Sequence, residues 1–252
     1  MSGKVALITG GSRGLGRSMA LHLAEEGVGT VLTYLSQESA AQNVVREIEA
    51  KGARAVALRL NTGNIKEFED FTNQVSESLN AVFEAEKIDF LINNAGAGAH
   101  ATLAETTEEQ FDTLVNVHVK GVLFLTQRML PLMRDGGSIV NISSGLARFS
   151  LPGYGAYAAM KGAVEVMTRY FAKELAERAI TVNTIAPGAI ETDFGGGAVR
   201  DNADVNAFVA STTALGRAGL PDDIGGSVAS LLTGKNGWIT GQRIEVSGGM
   251  FL

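Results

Sequence analysis

Short apolar runs alternate with longer amphipathic stretches along the whole chain. The runs fall at 4–9, 30–34, 54–60, 88–92, 138–143, 180–186 and 243–246. Each has the length of a strand, and most are rich in Val, Ile or Leu with little polar alternation, as expected of strands covered on both faces. Between them lie stretches of helical length at 14–27, 38–51, 64–85, 107–134, 155–178 and 221–233. Thr107 ahead of Glu108-Glu109-Gln110 resembles a capping box, and Pro221 with Asp222 and Asp223 suits a first helical turn. Strand–helix alternation throughout predicts right-handed strand–helix–strand units and an α/β fold with a parallel, doubly wound sheet. No linker interrupts the pattern, so one domain over 1–252 is expected, with 191–215 as a long insertion lacking a clear period.

Composition narrows the class. A chain of 252 residues buries roughly three-quarters of its unfolded surface, enough for one self-sufficient core. The absence of Cys excludes disulfides, thiolate zinc sites and cysteine nucleophiles, and it fits a reducing compartment. A net charge of −6 argues against a nucleic-acid surface. The N-terminal apolar stretch is too short for a signal-peptide core, and no run reaches the roughly 20 residues that cross a bilayer. A cytoplasmic protein without nucleic-acid or membrane partners is expected.

The first run ends in Thr9-Gly10-Gly11-Ser12-Arg13-Gly14-Leu15-Gly16, with a helical pattern directly behind it. A turn this rich in Gly lets backbone approach a pyrophosphate, whose charge then sits on the helix N-terminus. Its position at the first strand–helix junction predicts a dinucleotide site. No Walker pattern exists, because neither Gly3-Lys4 nor Gly234-Lys235 is followed by Ser or Thr. The second run ends at Tyr34-Leu35-Ser36 without the acid that would meet a free ribose 2′-hydroxyl. With Arg13 in the turn and the Ser36 hydroxyl, this favours a 2′-phosphate, and hence NADP(H) over NAD(H).

Tyr157 and Lys161 stand four apart in a helical stretch and share a face. Ser143-Ser144 closes a strand thirteen residues before Tyr157, where the carboxyl edge of a sheet presents a hydroxyl to a ligand. A phenol is a poor acid–base group at neutral pH, and a neighbouring ammonium is expected to draw its pKa down.

These residues converge on a family. Thr-Gly-x3-Gly-x-Gly at 9–16, Asn93-Asn94-Ala95-Gly96, Asn116, Ser144, Tyr157-x3-Lys161, Pro187-Gly188 and the closing Gly241-Gln242 … Ser247-Gly248-Gly249 resemble the short-chain dehydrogenase/reductase family. Order and spacing match along nearly the whole chain. The resemblance implies a Rossmann-type sheet of about seven strands. It further implies that Tyr157 is the general acid in carbonyl reduction, that Lys161 lowers its pKa and holds the nicotinamide ribose, that Ser144 binds the substrate oxygen, and that Asn116 anchors a water in a proton relay. By the same resemblance Gly10, Ser12, Arg13, Gly14, Leu15 and Gly16 face the cofactor phosphates, and Asn61 and Thr62 the adenine. Asn94, Ala95 and Gly96 line the ribose side, while Pro187, Gly188, Ile190 and Thr192 lie toward the carboxamide. Many relatives carry Asp where this chain has Asn61, an exchange that adenine tolerates. The family commonly forms homotetramers through its two longest helices, and here Phe111, Leu114, Val122, Phe124, Met167 and the Met250-Phe251-Leu252 end are the apolar candidates.

Other residues read as structural. His22 and His118 suit packing, His100 follows the Asn-Asn-Ala-Gly loop, and no cluster has zinc-like spacing. A nucleotide-binding regulator would be expected to lack Tyr157, Lys161 or Ser144, and a methyltransferase would want an acid after strand two. An oxidoreductase acting on a carbonyl or secondary alcohol remains. The pocket walls are expected at 97–103, 145–154 and 191–215, with Gly195-Gly196-Gly197 as a flap. Resemblance is greatest to the 3-oxoacyl-[acyl-carrier-protein] reductase branch, which makes a 3-oxoacyl thioester the substrate expectation and the acidic carrier protein a partner. Arg178 matches one basic docking position of that branch, but Asp135 stands at the other with Arg134 beside it, and the net charge of −6 opposes docking. A small ketone or secondary-metabolite substrate is the alternative.

Overall fold

A computed structural model of the chain describes residues 3–252. Met1 and Ser2, which begin the stretch read for a targeting signal and the 1–252 domain, lie outside the described residues. The strands are β1 (Val5–Ile8), β2 (Gly29–Tyr34), β3 (Ala55–Arg59), β4 (Ile88–Asn93), β5 (Met133–Ile142), β6 (Thr181–Pro187) and β7 (Arg243–Val246). They form one seven-stranded sheet in the order β3-β2-β1-β4-β5-β6-β7, parallel at every pair. The helices are α1 (Gly14–Glu25), α2 (Glu38–Ala50), α3 (Phe68–Ser78), α4 (Glu108–Leu114), α5 (Gly121–Met129), α6 (Gly155–Glu174), α7 (Ala198–Asp201), α8 (Ala203–Ser211) and α9 (Pro221–Thr233). The strand order reverses between β1 and β4, which opens a crevice at the carboxyl edge of the sheet.

Alternation along each strand fills a separate core on each face. Ala6 and Ile8 of β1 pack with Met19 and Leu23 of α1 and with Val228 and Leu232 of α9. Val5 and Leu7 face the other way, onto Phe71 and Val75 of α3 and Leu125 and Met129 of α5. Within the second face lies a polar ladder. Asn93, Asn141 and Thr184 stand opposite one another on β4, β5 and β6. The Asn93 amide donates to Asn141 Oδ1 (2.8 Å) and Thr126 Oγ1 (3.1 Å), Asn141 donates to Thr168 Oγ1 (2.9 Å), and Thr184 and Thr168 share a 2.7 Å hydrogen bond.

Three helical stretches are less regular than their periodicity suggests. The stretch 107–134 opens with the expected capping box, Thr107 and Gln110 each bonding the other's backbone N–H. It then passes through a π-helical turn at Val115–Lys120 and ends before Met133. Met133 already pairs with Ile88; residues 134–137 bulge out, and regular pairing resumes at Phe90 and Ser138. Polar Arg134 and Asp135 and two glycines in that bulge hide the early strand start. The stretch 64–85 likewise closes in a π-helical turn, Leu79–Phe83, and α6 stops at Glu174. The insertion 191–215 contains α7 and α8. In α8, Ala-Asp-Val-Asn-Ala-Phe-Val-Ala-Ser buries Val209 alone, so no helical stripe marks it.

Candidate active site

The glycine-rich turn packs too closely for side chains. A Cβ on Gly16 would overlap the Gly10 carbonyl, and Gly10 and Gly14 hold φ of +66° and +53°. No side chain caps α1 and its first turn holds no acid, so its leading N–H groups face the crevice as an anion cradle. Residues of the turn therefore fit a dinucleotide pyrophosphate. Arg13 and Ser36 are exposed at its rim, and Arg13 lies 3.9 Å from Asp193.

The loop after β4 is tied to this turn. The Asn94 amide donates to the carbonyls of Thr9 (2.8 Å) and Gly10 (3.1 Å), and the backbone N–H groups of Asn94 and Ala95 both donate to Thr9 Oγ1 at 2.9 Å. The Asn94 side chain thus braces the two loops. After β3, Asn61 Oδ1 accepts the Gly63 N–H (3.0 Å), with Thr62 half-buried between them. Pro187 ends β6, and the Gly188 N–H reaches Val246 O (3.1 Å) so closely that a Cβ would stand 2.9 Å from Ser247 Cα. Ile190 bridges to Gly219, and the Thr192 methyl lies 3.6 Å from where a Gly14 Cβ would be.

The first turns of α6 present Tyr157 and Lys161 at this edge, 8% and 4% exposed. The Ser144 hydroxyl faces the phenol and favours its ionised form. Ser144 is fixed in turn by the Leu146 N–H (3.2 Å), whereas Ser143 is turned away onto Glu165 (2.7 Å). Lys161 Nζ donates to the Ile142 carbonyl at 2.8 Å and stands 5.5 Å from the Tyr157 ring centre. Burial raises the phenol above its ordinary value, with Ser144 pulling the other way, and burial lowers Lys161 to about 7. The ammonium was expected to draw the phenol down. Burial instead works against that pairing, raising one group and weakening the charge on the other.

Sequence reasoning gave His118 to packing, and its burial agrees, but the contact with Tyr157 was not legible there. His118 is 1% exposed, its ring meets Tyr157 edge-to-face with centres 5.5 Å apart, and Nε2 lies 2.7 Å from the Ala97 carbonyl oxygen. Burial, and then the neighbouring Lys161 charge, lower it to about 3, so it is a neutral imidazole. Asn116 lies in the same π-helical turn as His118; its Cβ is 4.0 Å from where a Gly63 Cβ would be, and its backbone carbonyl accepts the Gly121 N–H.

Aromatic rings line the mouth. Phe194 of the 191–215 segment stands 5.8 Å from the Tyr157 ring and covers Gly98, where a Cβ would lie 3.1 Å from its ring. Phe149 packs on Gly145 and on Phe251 (4.7 Å), and His100 meets Tyr154 at 4.9 Å. Among the described residues no cluster of His, Asp and Glu could hold a metal ion, and no helix is long and apolar enough to cross a membrane.

The carrier-docking expectation meets a different arrangement. Arg178 donates to Asp135 (2.7 Å) and to the carbonyls of Leu130 (2.8 Å) and Met133 (2.7 Å), while Arg134 pairs with Asp89 (3.0 Å). Both guanidinium groups pin the β5 bulge.

Comparison with known proteins agrees with this geometry. The family model described as Enoyl-(Acyl carrier protein) reductase matches residues 10–251. The chain is 37% identical over 251 residues to the 3-oxoacyl-[acyl-carrier-protein] reductase FabG of Staphylococcus epidermidis, covering 99% of each. Among solved structures it is similar to the promiscuous reductase LugOII, which catalyses keto-reduction at C1 during lugdunomycin biosynthesis, with 38% identity, a TM-score of 0.94 and coverage of 100% of this chain and 99% of that one. It is also similar to the angucycline C-6 ketoreductase LanV with bound NADP, at 35% identity, a TM-score of 0.93 and coverage of 98% and 95%. With likeness along nearly its whole length and the glycine turn, Ser144, Tyr157 and Lys161 in their places, the chain belongs to the short-chain dehydrogenase/reductase family.

Proposed function

We propose that this oxidoreductase is an NADP(H)-dependent ketoreductase acting on a small ketone or, in reverse, a secondary alcohol. The observation that carries it is the buried Tyr157 phenol, with Ser144 and the buried Lys161 beside it and the Phe194 ring over it. NADPH, when bound, supplies the hydride to the carbonyl carbon. Tyr157 gives its proton to the carbonyl oxygen, and Ser144 holds that oxygen beside the phenol. Lys161 is close enough to stabilise the phenolate left behind, and it would hold the nicotinamide ribose. The turn at 10–16 would take the pyrophosphate, Arg13 and Ser36 the 2′-phosphate, Asn61 and Thr62 the adenine, and Ile190 and Thr192 the carboxamide. The domain spans the chain, with 191–215 as its substrate loop.

A 3-oxoacyl thioester is the second reading, favoured by the likeness to FabG. Engagement of Arg178 and Arg134 within the chain removes the basic patch that would recruit an acidic carrier. The test compares NADPH oxidation with aromatic ketones, with acetoacetyl on acyl-carrier protein, and with acetoacetyl on a small thiol. Aromatic ketones are expected to give the highest kcat/KM, with no gain from the carrier. A carrier-dependent gain lost in Arg178→Glu would establish the thioester reading instead.

A homotetramer is part of this proposal. Leu114 and Val122 are buried within the chain, and Phe124 and Met167 are half-buried. Phe111 (42% exposed), Leu123 (37%), Val166 (45%) and Tyr170 (65%) leave apolar surface on the two long helical stretches, and Leu252 (91%) does so at the C-terminus. A monomer in sedimentation at micromolar protein would contradict it. Cytoplasmic residence is proposed from the Cys-free composition alone.

A further inference from the structure

Three separate pieces of backbone converge on the His118 imidazole. The first is the π-helical turn at Val115–Lys120, whose widened pitch carries His118 inward to 1% exposure. The second is the loop after β4. Nε2 lies 2.7 Å from the Ala97 carbonyl and 3.3 Å from the Ala97 N–H, and a Cβ on Gly96 would stand 3.0 Å from His118 Cε1. The third is α6, whose Tyr157 ring lies at 85° to the imidazole with centres 5.5 Å apart.

We propose that His118 is a positioning residue for the reaction: its Nε2–H holds the Ala97 carbonyl while its ring braces the Tyr157 phenol, so that one side chain sets the distance between the proton donor and the cofactor-lining loop. The proposal rests on the reading of Tyr157 as proton donor. Nε2 faces both the Ala97 carbonyl (2.7 Å) and the Ala97 N–H (3.3 Å) and can serve only one; the shorter contact assigns the proton to Nε2 and leaves Nδ1 as the unprotonated nitrogen of a neutral ring. Neutrality is consistent with the surroundings, since the Lys161 charge and burial both disfavour an imidazolium. Aromatic rings meeting at this angle resist sliding across one another, and a hydrogen bond to buried backbone fixes the imidazole end. The phenol therefore has a second support besides Phe194, which meets it at 5.8 Å.

The consequence is a division of labour between two properties of the ring. Phe at this position would keep most of the packing and lose the hydrogen bond. Asn would lose the ring, yet its amide could donate to the Ala97 carbonyl and accept from the Ala97 N–H, both of which face the same point. If the tether to Ala97 governs the geometry, Asn serves better than Phe.

The experiment measures single-turnover ketone reduction and NADPH affinity for His118→Phe, His118→Asn and Tyr157→Phe, with circular dichroism and Tm for each. His118→Phe is expected to lower the chemical rate about 10–100-fold, the loss typical of slightly misplaced catalytic groups, with NADPH affinity within threefold. His118→Asn is expected to recover at least tenfold of that rate. A purely structural role would move Tm in both variants without this ordering of rates. A His118→Phe rate equal to wild type overturns the proposal. So does a folded His118→Asn no faster than His118→Phe; where the Phe variant does not fold, a folded His118→Asn more than about tenfold slower than wild type overturns it instead. Retained turnover in Tyr157→Phe overturns the proton-donor reading itself, a separate failure from either of these.

Discussion

The two walls of the cleft are built by different physics. The inner wall holds Tyr157, Lys161 and His118 buried and Ser144 half-buried; Lys161 and His118 are tied to backbone carbonyls, and Ser144 accepts the Leu146 N–H. The outer wall, 191–215, is exposed along most of its front. There Gly195, Gly196 and Gly197 hold φ of +64°, +74° and +79°, and Arg200 bonds Asp193 and Asp201 in water. Exposed ion pairs contribute little, about 0–1 kcal/mol, and glycines with left-handed backbone open cheaply to other conformations. The inner wall can keep reacting groups in register between turnovers, while the outer wall can let the ketone enter and leave.

Substitutions on the two walls should differ accordingly. Tyr157→Phe removes the proton donor and little else, so kcat should fall by at least ~10²–10⁴-fold with NADPH binding nearly intact. Turnover within tenfold of wild type would put the proton elsewhere. Lys161→Met should cost most of the turnover and weaken NADPH binding, yet raise the Tm of the cofactor-free protein. The folded state binds fewer protons than the unfolded chain between about 7 and the ordinary lysine value of about 10.4, so stability climbs with pH across that window. The penalty of the buried ammonium is complete below about 7; the Tm gain of Lys161→Met should therefore be larger at about pH 6 than at about pH 9. Equal gains at both would refute burial as the cause.

Smaller effects are expected at the rim. Arg13→Ala should weaken NADPH roughly 10–100-fold while hardly changing NADH, since only the former carries the 2′-phosphate; titration of the two cofactors decides it. Gly196→Ala, with open space around the added methyl, carries only the left-handed backbone strain of about 1–2 kcal/mol. It should raise the ketone KM a few-fold and shift Tm by less than about 2 °C, because the flap relaxes locally. A large Tm drop would mean that the outer wall is as rigid as the inner.

What could be read from the chain divides along the same line. Glycine spacing at 10–16 and the four-residue step from Tyr157 to Lys161 are local, and local geometry survives folding. The seven runs located every strand, with β5 mistaken at its start because its first pair, Met133 with Ile88, precedes a polar bulge. His118 read as a packing residue, and its burial agrees; its contact with Tyr157 stayed hidden because a π-helical turn shifts the facing of residues 115–120. Arg178 read as a free cation since its three acceptors come from Leu130 before β5, from the first β5 residue Met133 and from Asp135 in the bulge. Such pairings form only in three dimensions.

The polar ladder across β4, β5 and β6 has a consequence for how the sheet assembles. Parallel strands rich in Val and Ile offer few differences between one register and the next. Asn93, Asn141 and Thr184 lie directly opposite one another, with Thr126 and Thr168 waiting on the helices above. A slip of one residue on any of these strands would swing its polar side chain to the other face, into Val140, Ile142 and Ile185 territory, and strand its partners without hydrogen bonds. Each abandoned group costs about 1–3 kcal/mol, which is large beside the whole stability of a domain. The ladder thereby acts as a proofreader for the nascent sheet, rejecting misaligned strands before the cleft that depends on their ends can form.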